Sequence, residues 1–312
     1  MTRTGKRRKI EQMFALERWV AADADRPGRG HRLELALTAL AGRRPPGQIN
    51  RLLEHDGTQA LESLWKGASE SERSEITAEA EDLAKKGIDV LFRWTEAYPD
   101  RLHAAAQAPP LLFYWGSIDA LHSDAVGMCG ARESSQAGLE AARKCGEEVA
   151  RTGLTVVSGY ARGVDTETHL GALNAGGRTI VVLAEGFNHF RRKRSFEGIE
   201  WDPDKMLVLS QFSPGQSWNV GAAMTRNTVI VGLALGLVVV EAAEKGGTLN
   251  AGLRAVEMKR PVLALDFAGG TPRGNQILFE HGAVKVSTLN ALRHELVRLK
   301  SGLGQPGQLH LM

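Results

Sequence analysis

Hydrophobic and polar positions change period at residue 88. From there to residue 300, short continuous apolar runs alternate with longer stretches whose apolar residues recur at helical spacing. The apolar runs predict strands over 89–92, 111–115, 125–129, 155–158, 179–183, 206–210, 237–241, 262–266 and 283–286. The stretches between them predict helices over 136–151, 166–174, 221–234, 248–257, 275–281 and 288–300. Such alternation implies right-handed crossovers and a mostly parallel sheet with helices on both faces. The uninterrupted runs TIVVL (179–183) and LVVVE (237–241) suit central strands covered on both sides. The predicted class is therefore α/β, an extended Rossmann-like sheet.

Upstream the period is helical throughout. Leu33, Leu35, Leu37 and Leu40 mark one helix. Ile49, Leu52 and Leu53 mark a second after Pro45-Pro46-Gly47, and Leu61 with Leu64, then Ile76, Ala80 and Leu83, mark two more. The expected organisation is a polar extension (1–30) with one amphipathic helix over 10–22, a small all-helical domain (31–87), the sheet domain (88–300) and a tail (301–312).

Composition narrows the setting. The chain has 312 residues, 43% of them hydrophobic, enough for a substantial core. Its longest apolar block, 229–240, is broken by glycines, which speaks against a membrane span. Two cysteines, Cys129 and Cys145, stand in no metal-binding spacing, which suits a reducing, cytoplasmic setting without a metal. The net charge is only +3, and Arg3, Lys6, Arg7, Arg8 and Lys9 exceed it by themselves. A nucleic-acid site must then be a local patch. The basic tip is either a solvated terminus or an arm that touches phosphates.

In open parallel sheets ligands bind beyond the carboxyl ends of the strands, so the loops there are the candidates. The first carries Arg132, Ser134 and Ser135. Arg132 can hold a phosphate bidentately. The second, SGYARGVDTETHLGAL, runs from a strand through Ser158, Gly159, Arg162 and Gly163 into a helix, with Asp165 or Thr166 as its cap. A glycine-rich turn into a helix presents backbone N–H groups at the positive end of the dipole, which suits phosphate. Asp165 and His169, four apart, suit a local contact that holds the turn better than a catalytic dyad. The third loop offers Lys245, Gly246, Gly247 and Thr248 ahead of another helix, where Thr248 can cap the helix or bond a phosphate oxygen. Phe190-Arg191-Arg192-Lys193-Arg194 is the densest cationic run, with an aromatic positioned to stack on a base or a solvated loop as the alternative. Arg226 and Asn227 open or lie within a helix, and Gly274 with Asn275 caps another.

In this order the motifs resemble the DNA-processing protein A family (DprA, also called Smf). The match rests on 126–132 before a helix, SGYARGVDTETHLGAL, Arg226-Asn227 with the apolar run after it, VVVEAAEKGGTL and GNQILFEHGA, and it spans roughly residues 31–290. The resemblance implies a Rossmann-like domain that binds single-stranded DNA, assists a RecA-type recombinase in transformation, recombination or phage defence, dimerises, and acts without catalysis or cofactor. Arg132, the 158–163 turn, Arg226 and the 246–248 turn carry over to DNA contact. A different reading is a non-hydrolytic sensor of a small nucleotide. Related nucleotide-cleaving enzymes carry Pro-Gly-Gly-x-Gly-Thr-x-x-Glu, whereas Lys245-Gly246-Gly247-Thr248 lacks the proline and the glutamate.

Overall fold

The computed structural model describes residues 28–41, 46–105 and 107–302. The helix expected over 10–22, the basic tip and most of the tail lie outside the described residues.

Three helices come first: α1 (Arg29–Ala41), α2 (Pro46–Gly67) and α3 (Glu70–Lys85). The sequence pattern predicts four. Two of them join as α2, which is interrupted where Gly57 leaves helical backbone (φ 46°, ψ −118°). Strands β1 (Asp89–Phe92), β2 (Leu111–Trp115), β3 (Ala125–Cys129), β4 (Thr155–Ser158), β5 (Thr179–Val182), β6 (Met206–Ser210), β7 (Leu237–Val239), β8 (Val262–Leu265) and β9 (Val284–Val286) follow. Between them run α4 (Asp100–His103), α5 (Gln136–Arg151), α6 (Val164–Asn174), α7 (Val220–Leu233), α8 (Gly247–Glu257), α9 (Arg273–Glu280) and α10 (Leu289–Lys300). The fold class is the one the hydrophobic pattern predicts. Among the described residues no helix is long and apolar enough to cross a membrane.

Among the described residues, nine strands form one sheet, in the order β1-β2-β6-β5-β4-β3-β7-β8-β9. β2 pairs antiparallel with both β1 and β6; the other pairings are parallel. Alternate residues of each strand serve opposite faces. Ile180 and Val182 pack with Val229 and Ile230 of α7, whereas Val181 packs with Leu170 of α6 and Phe196. One face is thus covered by α4, α7, α8 and α9, and the β3–β9 part of the other by α5, α6 and α10. Helices α1 to α3 cover the remainder, where Leu33, Leu35 and Leu83 share a core with Val90, Phe113 and Val208. Arg32 of α1 reinforces this contact through a 2.5 Å ion pair to buried Asp89 on β1.

The strand order positions the site. From β3 the chain steps outward through β4, β5 and β6, then returns along α7 to β7 beside β3. Loops after β3 and β7 therefore diverge, and a crevice opens between them at the reversal.

Candidate functional site

The turn after β4 is shaped by protein atoms. Ser158 is buried, and its hydroxyl donates to the Met128 carbonyl (2.7 Å). A side chain at Gly159 would overlap the Arg226 guanidinium. Gly163 has φ of 79°, and a Cβ there would lie 2.6 Å from the carbonyl oxygens of Ala131 and Arg132. These glycines let a buried arginine and the loop after β3 approach. Helix α6 starts at Val164 with Gly163 before it. Neither Asp165 nor Thr166 is its cap, a correction to the sequence reading. Asp165 lies in the first turn, accepts the Ala161 N–H (3.2 Å) and faces Arg226 at 3.9 Å.

His169 does not bond to Asp165. Its Nε2 donates to the Gly159 carbonyl (2.7 Å), and its Nδ1 pairs with the Thr179 hydroxyl at 2.5 Å. Complete burial lowers its pKa to about 4, so the ring is neutral and Nδ1 accepts. Both nitrogens are used in pinning the turn to β5.

Four cations, three from separate loops and one from α7, meet above this turn. Arg132, Arg162, Lys193 and Arg226 line a cavity of about 330 Å³ with Tyr160, Leu183, Glu185 and Trp218. It lies at the carboxyl ends of β3, β4 and β5. Arg226, in the second turn of α7, is buried and donates from Nη1 to the Val182 carbonyl (2.9 Å). Its Nε is buried with no hydrogen-bond partner among the described residues. The Lys193 ammonium donates to the Tyr160 carbonyl (2.6 Å) and sits 4.3 Å from that ring's centre. Burial lowers its pKa to about 8. Arg132 covers the ring of Trp218 at 4.7 Å. Arg162 is exposed and pairs with Glu133. The cavity is cationic with one facing carboxylate, Glu185, whose pKa is raised chiefly by burial.

The rest of the cationic run turns elsewhere. Arg191 donates to the carbonyls of Asn188 and Phe190, and Arg192 to those of Phe196 and Ile199. Phe190 is not a free stacking surface, as its position in that run suggested: it packs among Tyr160, Phe187 and Trp201. Asn227 is half-buried beside Arg226.

Ser134 and Ser135 serve a carboxylate. Glu241, just past β7, accepts from the Ser134 hydroxyl, from the Ser135 N–H (2.9 Å) and from the Ser135 hydroxyl (2.5 Å). Ser135 also caps α5 by accepting the Gly138 N–H (3.0 Å). Glu241 thus spans the crevice between β3 and β7 and supplies the negative charge that a helix N-terminus favours. The turn with Lys245, Gly246, Gly247 and Thr248 is open. Gly246 (φ 123°) precedes α8, which has no side-chain cap, so Thr248 is not the cap. Gly274 and Asn275 lie inside α9, which begins after Pro272. Asn275 is fully buried, accepts from the Ala242 N–H and donates to the carbonyls of Val240 and Leu265, joining the ends of β7 and β8.

Sequence reasoning missed Trp218, Glu185 and Glu241 as members of this region. Glu241 had a signal: a carboxylate directly after a buried apolar run must find donors or water. Trp218 had none beyond being a large aromatic just before a helix cap.

The family profile described as "DNA recombination-mediator protein A" matches residues 89–297. The chain belongs to that family. It is 34% identical over 195 residues to the DNA processing protein DprA of Streptococcus pneumoniae, covering 62% of this chain and 69% of that one. To protein Smf of Escherichia coli K12 it is 36% identical over 200 residues, covering 62% of this chain and 52% of that one. It therefore spans only about half the length of that relative. The X-ray structure of DprA from Streptococcus pneumoniae superposes with a TM-score of 0.68 at 27% identity, over 86% of this chain and 98% of that chain. A structure of DNA processing protein A from Helicobacter pylori, solved for its single-stranded DNA binding mode, shares the fold (TM-score 0.57, 20% identity, 68% of this chain and 96% of that one). The segment matched to the recombination-mediator family runs from β1 into α10 and contains every residue of the cavity.

Proposed function

We propose that this protein binds single-stranded DNA at the cavity formed by Arg132, Arg162, Lys193 and Arg226, and that it works in the cytoplasm as a homodimer that hands the strand to a RecA-type recombinase. It acts as a binding protein, not a catalyst. The observation that carries this reading is the convergence of four cations, three from loops and one from α7, on one cavity of about 330 Å³. Membership of the recombination-mediator family and the single-stranded DNA named for the Helicobacter pylori protein support it. The internal use of Ser134, Ser135 and Glu241 supports it as well, because the crevice at the sheet reversal, where a Rossmann-like sheet takes a dinucleotide, is occupied by the chain's own carboxylate.

The test is fluorescence polarisation with a labelled oligonucleotide, single-stranded against duplex, at two salt concentrations. Each phosphate contact to a single strand contributes a slope of about −0.7 in log K against log salt, so four contacts give about −3. Arg132→Ala is expected to weaken binding and to flatten that slope by about 0.7. Salt-insensitive binding, or affinity unchanged in Arg132→Ala, would sink the proposal. A cavity of this size also fits a small ligand. Calorimetry with a mononucleotide panel is therefore the control, and saturable nucleotide binding tighter than oligonucleotide binding would replace this reading with the sensor. Recombinase delivery is read from the rate at which a RecA-type recombinase nucleates on the same oligonucleotide with and without the protein.

A further inference from the structure

An exposed apolar strip adjoins the cavity. Trp218, Val220 and Met224 are 43%, 68% and 39% exposed. Val220 and Met224 stand one turn apart on α7, about 6 Å along its axis. The strip ends near the start of α8, where a Cβ on Gly247 would lie 3.9 Å from the Met224 sulfur. At its other end the Trp218 ring, under the Arg132 guanidinium, forms part of the cavity wall with Lys193 and Arg226. The strip therefore has cations at both ends: Arg132, Lys193 and Arg226 at one, exposed Lys245 at the other.

Three large apolar side chains exposed together mark a binding surface. The charge around them selects its occupant. The ligand must present anionic groups at the ends and flat apolar faces between them. Unpaired nucleobases on a phosphodiester backbone meet both demands. A duplex buries its base faces in its own stack and meets only the first.

We propose that Trp218, Val220 and Met224 form the floor on which unpaired bases lie, so that a strand with a phosphate in the cavity leaves it across the first turns of α7 towards the Lys245 turn. This rests on the single-stranded DNA reading above and adds a base-dependent component to the phosphate-dependent one. Trp218, 43% exposed with Arg132 over its ring, is the main stacking residue.

The experiment compares a labelled oligo-dT with an abasic deoxyribose-phosphate oligomer of the same length, using the full chain at fixed salt. Wild type is expected to bind oligo-dT roughly ten-fold more tightly than the abasic strand, the scale of one base stacked on an aromatic ring. Trp218→Ala is expected to bring oligo-dT down to the abasic affinity, and Trp218→Phe to keep most of the preference. Circular dichroism of both variants checks folding. Equal, steeply salt-dependent binding of the two strands by wild type overturns the base floor and leaves the phosphate site standing. No binding of either strand overturns both. A base preference that survives Trp218→Ala, with self-association lost in sedimentation velocity, overturns the floor and gives the strip to a second copy of this chain.

Discussion

Asp165→Asn tests the centre of the site, because it is expected to move stability and binding in opposite directions. Asp165 and Arg226 face each other at 3.9 Å, with each side chain 8% exposed. At that distance and an effective dielectric near 20 their attraction is about 4 kcal/mol. Removing one member of a buried pair costs about 3–5 kcal/mol, because the remaining charge is left uncompensated. The amide oxygen of asparagine can still accept the Ala161 N–H now held at 3.2 Å, so the turn keeps its shape. The expected loss is therefore about 3 kcal/mol, a large part of the roughly 5–15 kcal/mol that holds a typical protein folded. Urea unfolding at pH 7 reads it as a lower midpoint at unchanged slope. The same substitution removes a negative charge from beneath the cavity. Oligonucleotide affinity, measured where the variant is fully folded, should rise. A stability loss below about 1 kcal/mol would refute the buried pair. Weaker binding by a fully folded variant would refute the electrostatic account of the cavity.

Three further outcomes follow from particular contacts. Glu241→Ala leaves two serine hydroxyls and one N–H without their acceptor; a loss of about 1–3 kcal/mol is expected, seen as a lower Tm, and an unchanged Tm would show that water replaces the carboxylate at no cost. Lys193 has its pKa lowered to about 8, so oligonucleotide affinity should be full near pH 7 and fall as the pH rises towards 9; Lys193→Arg should remove that dependence, and a flat wild-type profile would exclude Lys193 from phosphate contact. His169 titrates at about 4 folded but near the ordinary 6.5 unfolded, so between those values the unfolded chain binds more protons and stability falls as the pH drops. His169→Asn should lack this acid-dependent part in urea midpoints taken from pH 7 to 5, and parallel losses in both proteins would show that His169 does not contribute it.

Much of the architecture was legible locally. Seven of the sheet's strands are joined by parallel pairings, and the continuous apolar runs that announced them need no knowledge of the partner strand. Boundaries were less so. The LVVVE run stops being strand at Val239, which frees Glu241 to reach the serines after β3. Helix caps misled for a related reason. Asp165, Thr248 and Asn275 are good caps by residue type, yet α6, α8 and α9 each begin before them, since glycine or proline sets the entry geometry. Among the cations, Arg191 and Arg192 looked equivalent to Lys193 along the chain, but the fold folds the two arginines onto nearby carbonyls and sends the lysine into the cavity.

By itself the sequence determined the alternation of strands and helices, the glycine turns at the strand ends and the family to which they belong. These depend on periodicity and on residues within a turn of one another. The tertiary structure decided why the turns need glycine, which cations converge and which crevice is closed. Gly159 is required by Arg226, a residue from another helix, and Ser134 is occupied by a carboxylate 107 positions away. Such choices depend on strand order, which brings distant loops to one edge of the sheet, and no local pattern encodes that distance.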